Sequence, residues 1–306
     1  MERNREGRAT IAYDSLRETA KNFLMGFDSV RRWRLARPRA LAGDMDVDDF
    51  LQRYAFTGLD LIERHFGDLK GRSVCELGPG DFLVSGLCIL AAGASGYAVI
   101  DRFPGDYEGP TAKYWYRQAR DNWDRFHPSS PWDPGLDPDL FPENYADRLE
   151  LIREPIETAQ TANRFDLICS FQVAEHVSDI DAFAEMHRRL LKPGGVGLHR
   201  IDFGPHDIWG YYKDPYVFLR FSETAWSLMG SNRGVPNRKR HHEFIDAFER
   251  AGLETQVLML DRYDAGSIDV GKLRRRYREM PLDSLLVGTG VYLVSAPGGE
   301  PETERR

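Results

Sequence analysis

Cysteine is scarce in this chain. Among 306 residues there are three, Cys75, Cys88 and Cys169. An odd number without metal-type spacing excludes a disulfide framework and fits reduced thiols inside buried segments. Long apolar runs are missing as well. None approaches the ~18 residues that span a bilayer, so no membrane span is expected. The start, Met1-Glu2-Arg3-Asn4-Arg5, leads into no apolar segment. Arg31-Arg32 is followed by Trp33-Arg34-Leu35-Ala36-Arg37 rather than an apolar core. The expectation is a cytoplasmic protein with no secretory signal. A basic excess is also lacking: the net charge is −7, which counts against nucleic acid as a general partner. No internal repeat is found.

What remains is ordinary for a soluble globular protein, with 42% hydrophobic and 29% charged residues, and enough length for a full core. One stretch organises it. Ser73-Val74-Cys75-Glu76-Leu77 is an apolar run into an acid, Gly78-Pro79-Gly80-Asp81 is a turn, and Phe82 to Ala92 reads as a buried helix. Strand, glycine turn and helix form the opening βα unit of a doubly wound sheet, whose ligands bind at the carboxyl ends of the strands. Further strands are predicted at 96–101, 149–152, 165–170, 196–203, 255–260 and 290–295, with helices over 179–191 and 240–252. This alternation predicts a parallel α/β sheet.

Residues 1–70 are expected to form a helical cap, with helices over 11–27 and 47–66 and Asp44 as an N-cap. The α/β domain is expected to occupy 71–297, followed by a polar, flexible tail at 298–306. Two segments, 103–147 and 204–239, exceed plain connections and are rich in aromatics, among them Tyr107, Trp115, Trp123, Trp209 and Trp226. They are predicted to be insertions that pack on the core and turn some side chains toward the ligand crevice.

The glycine turn narrows the ligand. A dinucleotide fingerprint needs a third glycine where Leu83 stands, and Asp81 places an anion where a pyrophosphate would lie. S-adenosylmethionine has no phosphate. Its ammonium, sulfonium and ribose diol suit acidic neighbours. In this light the chain resembles the class I S-adenosylmethionine-dependent methyltransferases over about residues 72–203, and more weakly to 295. Glu76-Leu77-Gly78-Pro79-Gly80 is similar to the family's E-x-G-x-G motif, with Phe82 where a third glycine often stands. Asp101 resembles the ribose-binding acid, and Glu154-Pro155-Ile156 the segment beside the adenine. Ser170 to Val177 resembles the motif ending in Glu-His-Val, and Arg189 to Gly195 the R-x-L-K-P-G-G turn. The resemblance implies a Rossmann-like, seven-stranded, mostly parallel sheet with helices on both faces. It implies S-adenosylmethionine held by Glu76, Gly78, Pro79, Gly80, Asp101, Arg102, Glu154, Pro155, Ile156, Phe171 and Gln172. Glu76, rising from an apolar strand, needs a partner: a ligand ammonium or a buried arginine.

Methyl transfer is an in-line displacement, so alignment is the protein's main task. A hydroxyl acceptor also needs a base or a metal for its proton. Candidates cluster after strands 4 and 5: Glu175, His176, His199, Asp202, His206 and Asp207. The two-residue strand period puts His199 and Asp202 on opposite faces, and His176, Asp202 and His206 are the expected catalytic residues. Family members that methylate RNA 3′ ends or ubiquinone precursors carry E-x-x-E-H and bind a divalent metal there. This chain reads Gln172-Val173-Ala174-Glu175-His176. Glu175 and His176 stay candidate ligands, but a neutral amide in the first place is a poorer ligand for a hard cation, and no metal is the favoured expectation. The five arginines within 31–39, and Asn237-Arg238-Lys239-Arg240 with His241-His242, are read as solvated charge. Contact with an acidic acceptor is their functional alternative. The expected function is O-methylation of a small-molecule or sugar-like acceptor in specialised or envelope-polysaccharide metabolism. RNA methylation and a non-catalytic methyltransferase-like interaction module are the alternatives, and homo-oligomerisation stays open.

Overall fold

Strands buried on both faces need nearly continuous apolar runs, and the five-residue strand β1 (Ser73–Leu77) meets that need with four of its residues buried. The computed structural model describes residues 4–30, 45–102, 104–158 and 164–296. In it β1 pairs in parallel with β2 (Gly96–Ile100) on one side and β4 (Phe165–Phe171) on the other. β3 (Leu149–Ile152) extends the sheet beyond β2, and β5 (Leu191–Asp202) beyond β4, both in parallel. β7 (Val287–Ser295) then runs antiparallel between β5 and β6 (Glu254–Arg262). The seven-stranded order is β3-β2-β1-β4-β5-β7-β6. The order reverses between β1 and β4, which opens a crevice beyond their carboxyl ends. The expected α/β architecture is therefore present. β5 starts earlier than predicted, because Leu191 already pairs with Phe165 ahead of the Lys192 to Gly195 turn.

Helices cover both faces. α1 (Arg8–Met25) lies outermost, against α6 (Glu223–Gly230). α2 runs from Val47 to His65 in three pieces, Val47–Leu51, Gln52–Phe56 and Thr57–His65. Asp46 caps it by accepting from the Asp48 and Asp49 amides. The predicted cap, Asp44, lies outside the described residues. In the middle piece the Thr57 amide reaches back five residues to the Gln52 carbonyl, a π-type turn of the kind often found beside functional sites. α3 (Val84–Ala91) and α4 (Pro110–Asp121) join α2 on one face. α5 (Ile180–Leu190), capped by Asp179, and α7 (His241–Arg250) pack Phe183, Met186, Phe244 and Phe248 on the other. Among the described residues no helix is long and apolar enough to cross a membrane.

The aromatic insertions mostly pack. Trp115 of α4 stacks on Phe50 with ring centroids 3.5 Å apart, and Tyr116 and Trp123 are fully buried. From the second insertion Trp209, Tyr212, Tyr216, Phe218 and Trp226 form a third core with Tyr277. Some were expected to turn toward the crevice. Tyr107 is the clear case, since its hydroxyl lies 3.3 Å from the Gly80 carbonyl.

Close packing of α3 on β2 depends on Gly86. A Cβ there would lie 2.1 Å from the Tyr97 ring, whose hydroxyl is itself anchored. Gly86→Ala is expected to destabilise the fold by about 1–3 kcal/mol, the usual cost of overpacking. Urea unfolding of the two proteins measures this.

Candidate active site

The site begins where β1 ends. Gly78 leaves the strand with φ 59° and Gly80 follows with φ 85°, values that side chains with a Cβ rarely adopt. The Gly78 amide still bonds to the Ile100 carbonyl at 3.0 Å, so the turn is tied to β2. A Cβ on Gly78 would lie 2.9 Å from Val173, whereas one on Gly80 would meet nothing within 4 Å. The backbone is thus closed on its β4 side and open above Gly80. The first insertion comes close: a Cβ at Gly105 would lie 2.3 Å from the Asp81 carbonyl oxygen.

Glu76 points from β1 into the core and is 4% exposed. Its Oε2 accepts from Ser85 Oγ at 2.6 Å and from the Tyr97 hydroxyl. Its partners inside the protein are therefore hydroxyls of α3 and β2, and the buried arginine considered from the sequence is not the one it uses. Burial pushes its pKa up; the two hydroxyls pull it back, and Asp101 adds to the rise. Asp101 is half-buried just past β2, with its amide on the Ile152 carbonyl at 3.1 Å. Arg102 and Glu154 are exposed, while Pro155 and Ile156 are half-buried beside β3. At the end of β4, Phe171 lies against α2, where a Cβ on Gly58 would be 3.0 Å from its ring. Gln172 follows at φ 61° and is exposed.

The second half of the site follows β4 and β5. Glu175 is 2% exposed, and neither carboxyl oxygen has a hydrogen-bond partner. Burial pushes it up to about 8. His206 Nε2 lies 3.5 Å from Asp202 Oδ2 and 3.9 Å from Glu175 Oε1. These are ion-pair distances rather than well-formed hydrogen bonds. Burial lowers the His206 pKa, but Asp202, then Glu175 and Asp207, outweigh it and leave it raised. Burial raises Asp202, yet His206 and the Gly204 amide, 2.7 Å from Oδ1, hold it below the usual carboxylate range. The His176 ring stands edge-on to His206 at 5.0 Å. Packing around it, and then His206, push His176 down to about 4. Its residue surface is nevertheless exposed, so water solvates the charged form and the depression is smaller in practice. Ligand atoms of Glu175, His176 and His206 all lie within 4.8 Å of one another.

Asn237, read from the sequence only as part of a basic, solvated stretch, holds this corner in place. Its Nδ2 donates to the Ala174 and Val177 carbonyls at 3.1 and 3.0 Å, and its amide donates to the Glu175 carbonyl at 2.6 Å. The residues after it correct the expectation of solvated charge. Arg238 is 2% and Arg240 0% exposed. Arg240 donates to the Phe203, Leu285 and Val287 carbonyls and to the Tyr216 hydroxyl, at 2.6–3.0 Å. Neither arginine is placed to meet an acidic acceptor. His241 and His242 are engaged by the Tyr292 and Ser284 hydroxyls, each at 2.7 Å. His199 is buried, with Nδ1 2.8 Å from Ser170 Oγ, on the face opposite Asp202. The arginines at 31–39 lie outside the described residues.

An open glycine turn at a switch point, with acids at the ends of β1 and β2, fits a small cationic nucleoside ligand. A family model described as a methyltransferase domain matches residues 47–257, a span containing both halves of the site. The chain belongs to this methyltransferase family. A ubiquinone biosynthesis O-methyltransferase from Chelativorans sp. (strain BNC1) is 47% identical over 38 residues, 12% of this chain and 15% of that enzyme. The chain thus aligns with only a short part of that relative. A structure of an S-adenosylmethionine-dependent methyltransferase from Mesorhizobium loti superposes with a TM-score of 0.42 at 12% identity, covering 79% of this chain and 98% of the other. YcgJ from Bacillus subtilis gives 0.42 at 11% identity, covering 78% and 98%.

The buried Glu175 of this methyltransferase has a consequence for stability. Its folded pKa is raised above the unfolded value of about 4.3. The folded state therefore holds an extra proton between that value and about 8. Stability contributed by this group is present below the unfolded pKa and is lost as pH rises through that window, by up to about 1.4 kcal/mol per unit. Thermal melts from pH 5 to 8 are expected to fall less steeply for Glu175→Gln than for the parent.

Proposed function

We propose that this methyltransferase uses S-adenosylmethionine to methylate a hydroxyl of a small acceptor, with His206 as general base. The observation that carries the reading is the Asp202–His206 pair beside the crevice, with Nε2 3.5 Å from the carboxylate. A carboxylate that closed from this distance to a hydrogen bond on Nε2 would fix the tautomer with the proton there and leave Nδ1 to take a proton. The raised His206 pKa makes it a stronger base. Bound S-adenosylmethionine supplies an activated methyl on a sulfonium leaving group. The chain's own part is to hold it on the Gly78–Gly80 turn, with the Asp101 carboxylate accepting from the ribose hydroxyls, and to aim the acceptor. The short stretch shared with a ubiquinone biosynthesis O-methyltransferase supports oxygen as the target atom. His176, edge-on to His206, would orient the acceptor from the other side.

A second reading has one observation in its favour. Glu175 keeps both oxygens unpartnered in the interior, and two histidines stand beside it. Two imidazoles and a carboxylate suit a divalent ion, which would acidify the acceptor hydroxyl directly. The third member of the group comes from His206 in the second insertion, not from position 172, where a glutamine stands.

His206→Ala is expected to lower kcat by about 10²–10⁴-fold while leaving S-adenosylmethionine affinity within a few-fold. Turnover should rise with pH through the raised pKa of the histidine, because only the neutral ring accepts a proton. Unchanged kcat in His206→Ala sinks the base assignment. A chelator separates the two readings. Loss of turnover that is restored by added magnesium or manganese favours the metal, and indifference to the chelator favours the histidine acting alone.

A further inference from the structure

Helix α1 is oriented against the usual rule. Its polar residues Asp14, Glu18 and Asn22 are buried, while Tyr13, Leu16, Phe23 and Leu24 are 66, 73, 67 and 53% exposed. The inward face is fixed by specific bonds. Asp14 accepts from Arg5 and from the Tyr212 hydroxyl, each at 2.7 Å. Glu18 pairs with Arg233. Asn22 donates to the Leu228 carbonyl and Ser231 Oγ at 3.0 and 3.1 Å and accepts from the Asn232 amide at 2.8 Å. Turning the helix to hide its apolar side would strand these groups, so the apolar side is left without cover among the described residues.

The spacing of the outward face is informative. Ala9, Tyr13, Leu16, Ala20, Phe23 and Phe27 alternate steps of four and three, and all are exposed. That is the a/d seam of a helix pair, narrower than the stripe of an ordinary surface helix. Phe27 lies just past the helix but packs its ring edge-on to Phe23 at 5.3 Å, so it continues the seam. A lipid-seeking helix would instead carry a Lys- and Arg-rich polar face; here the basic residues are only Arg8, Arg17 and Lys21, the last paired with Glu18, and the inward polar face is acidic.

We propose that α1 is the contact surface of a homodimer, in which two copies pair their α1 helices antiparallel about a two-fold axis at the level of residue 18. The seam is complementary to itself in that arrangement. Ala9 faces the partner's Phe27, Leu16 faces the partner's Ala20, and Tyr13 faces the partner's Phe23, so large meets small at the outer and inner positions and an aromatic pair lies between. Such an isologous contact is what a two-fold axis requires. Scaled by their exposure, the three aromatic rings and Leu16 offer on the order of 500 Å² per copy, taking 150–250 Å² for each whole ring; two copies then bury about 1,000 Å², the lower bound for a specific interface. The contact also reaches toward the catalytic loop, because Arg233, paired with Glu18, holds Asp207 at 3.0 Å, one residue from His206.

Sedimentation of the full chain tests this. The parent is expected to be dimeric at micromolar concentration with a melting temperature that falls on dilution, and Leu16→Glu and Phe23→Glu are each expected to weaken the dimer by about 100-fold or more while staying folded by circular dichroism with a melting temperature that no longer depends on concentration. Oxidising a mixture of Leu16→Cys and Ala20→Cys chains should give mainly the mixed disulfide, which reports the antiparallel register even if a Glu variant folds poorly. A parent that stays monomeric overturns the proposal, whether its face is covered by residues 31–44 or by anionic vesicles that it then binds. A dimer that both Glu variants leave intact, or mixed chains that do not cross-link, also overturns it.

Discussion

Gly78 and Gly80 leave β1 with positive φ, and between them the backbone has no side chain to spare. Val173 closes one side of the turn, Gly105 brings the first insertion against Asp81, and only the space above Gly80 is open. This constraint orders the rest. The turn must sit at the switch point, so β1 must be central, flanked by β2 and β4. α3 must pack tightly behind it, hence Gly86 against Tyr97. The Tyr97 hydroxyl that Gly86 admits then holds Glu76 with Ser85, so one buried carboxylate ties β1, β2 and α3 together beside the glycine turn. A carboxylate buried there without those hydroxyls would cost several kcal/mol.

The titratable groups proposed for the chemistry come together on the neighbouring strands. Asp202 ends β5, Glu175 follows β4, and His206 lies between them on the insertion. Burial raises Glu175, while low polarity strengthens the mutual influence of Asp202 and His206, raising the histidine and depressing the aspartate. Titratable groups whose pKa values are pushed apart in one cleft are a common mark of acid–base sites. The insertion contributes both the histidine and the clamp: Asn237 fixes the Ala174–His176 turn, and the buried Arg240 binds the insertion to β5 and β7 through carbonyls.

Periodicity and glycine chemistry made the sheet legible in the sequence, because a parallel strand buried on both faces has few compositions open to it. The seven strands and the Gly78–Gly80 turn stood out on those grounds, and Glu175-His176 through its resemblance to a family motif. The aromatic insertions did not resolve, since aromatics that line a crevice and aromatics that fill a core read alike. Arg238 and Arg240 misled for a related reason. Charge in a sequence signals solvent, and only tertiary structure shows guanidiniums consumed by carbonyls. The role of Asn237 was invisible because an amide clamp has no pattern of its own. The reversed polarity of α1 was equally hidden, as an amphipathic stripe does not reveal which side faces inward.

The account rests on the glycine turn seating the methyl donor, and calorimetric titration with S-adenosylmethionine tests it most directly. Gly80→Val puts a side chain into the open space above the turn and strains a backbone at φ 85°. The parent is predicted to bind with micromolar affinity, and Gly80→Val, still folded by circular dichroism, to lose most of that binding. Absence of binding by the parent at millimolar S-adenosylmethionine, or equal affinity in both proteins, would contradict the account.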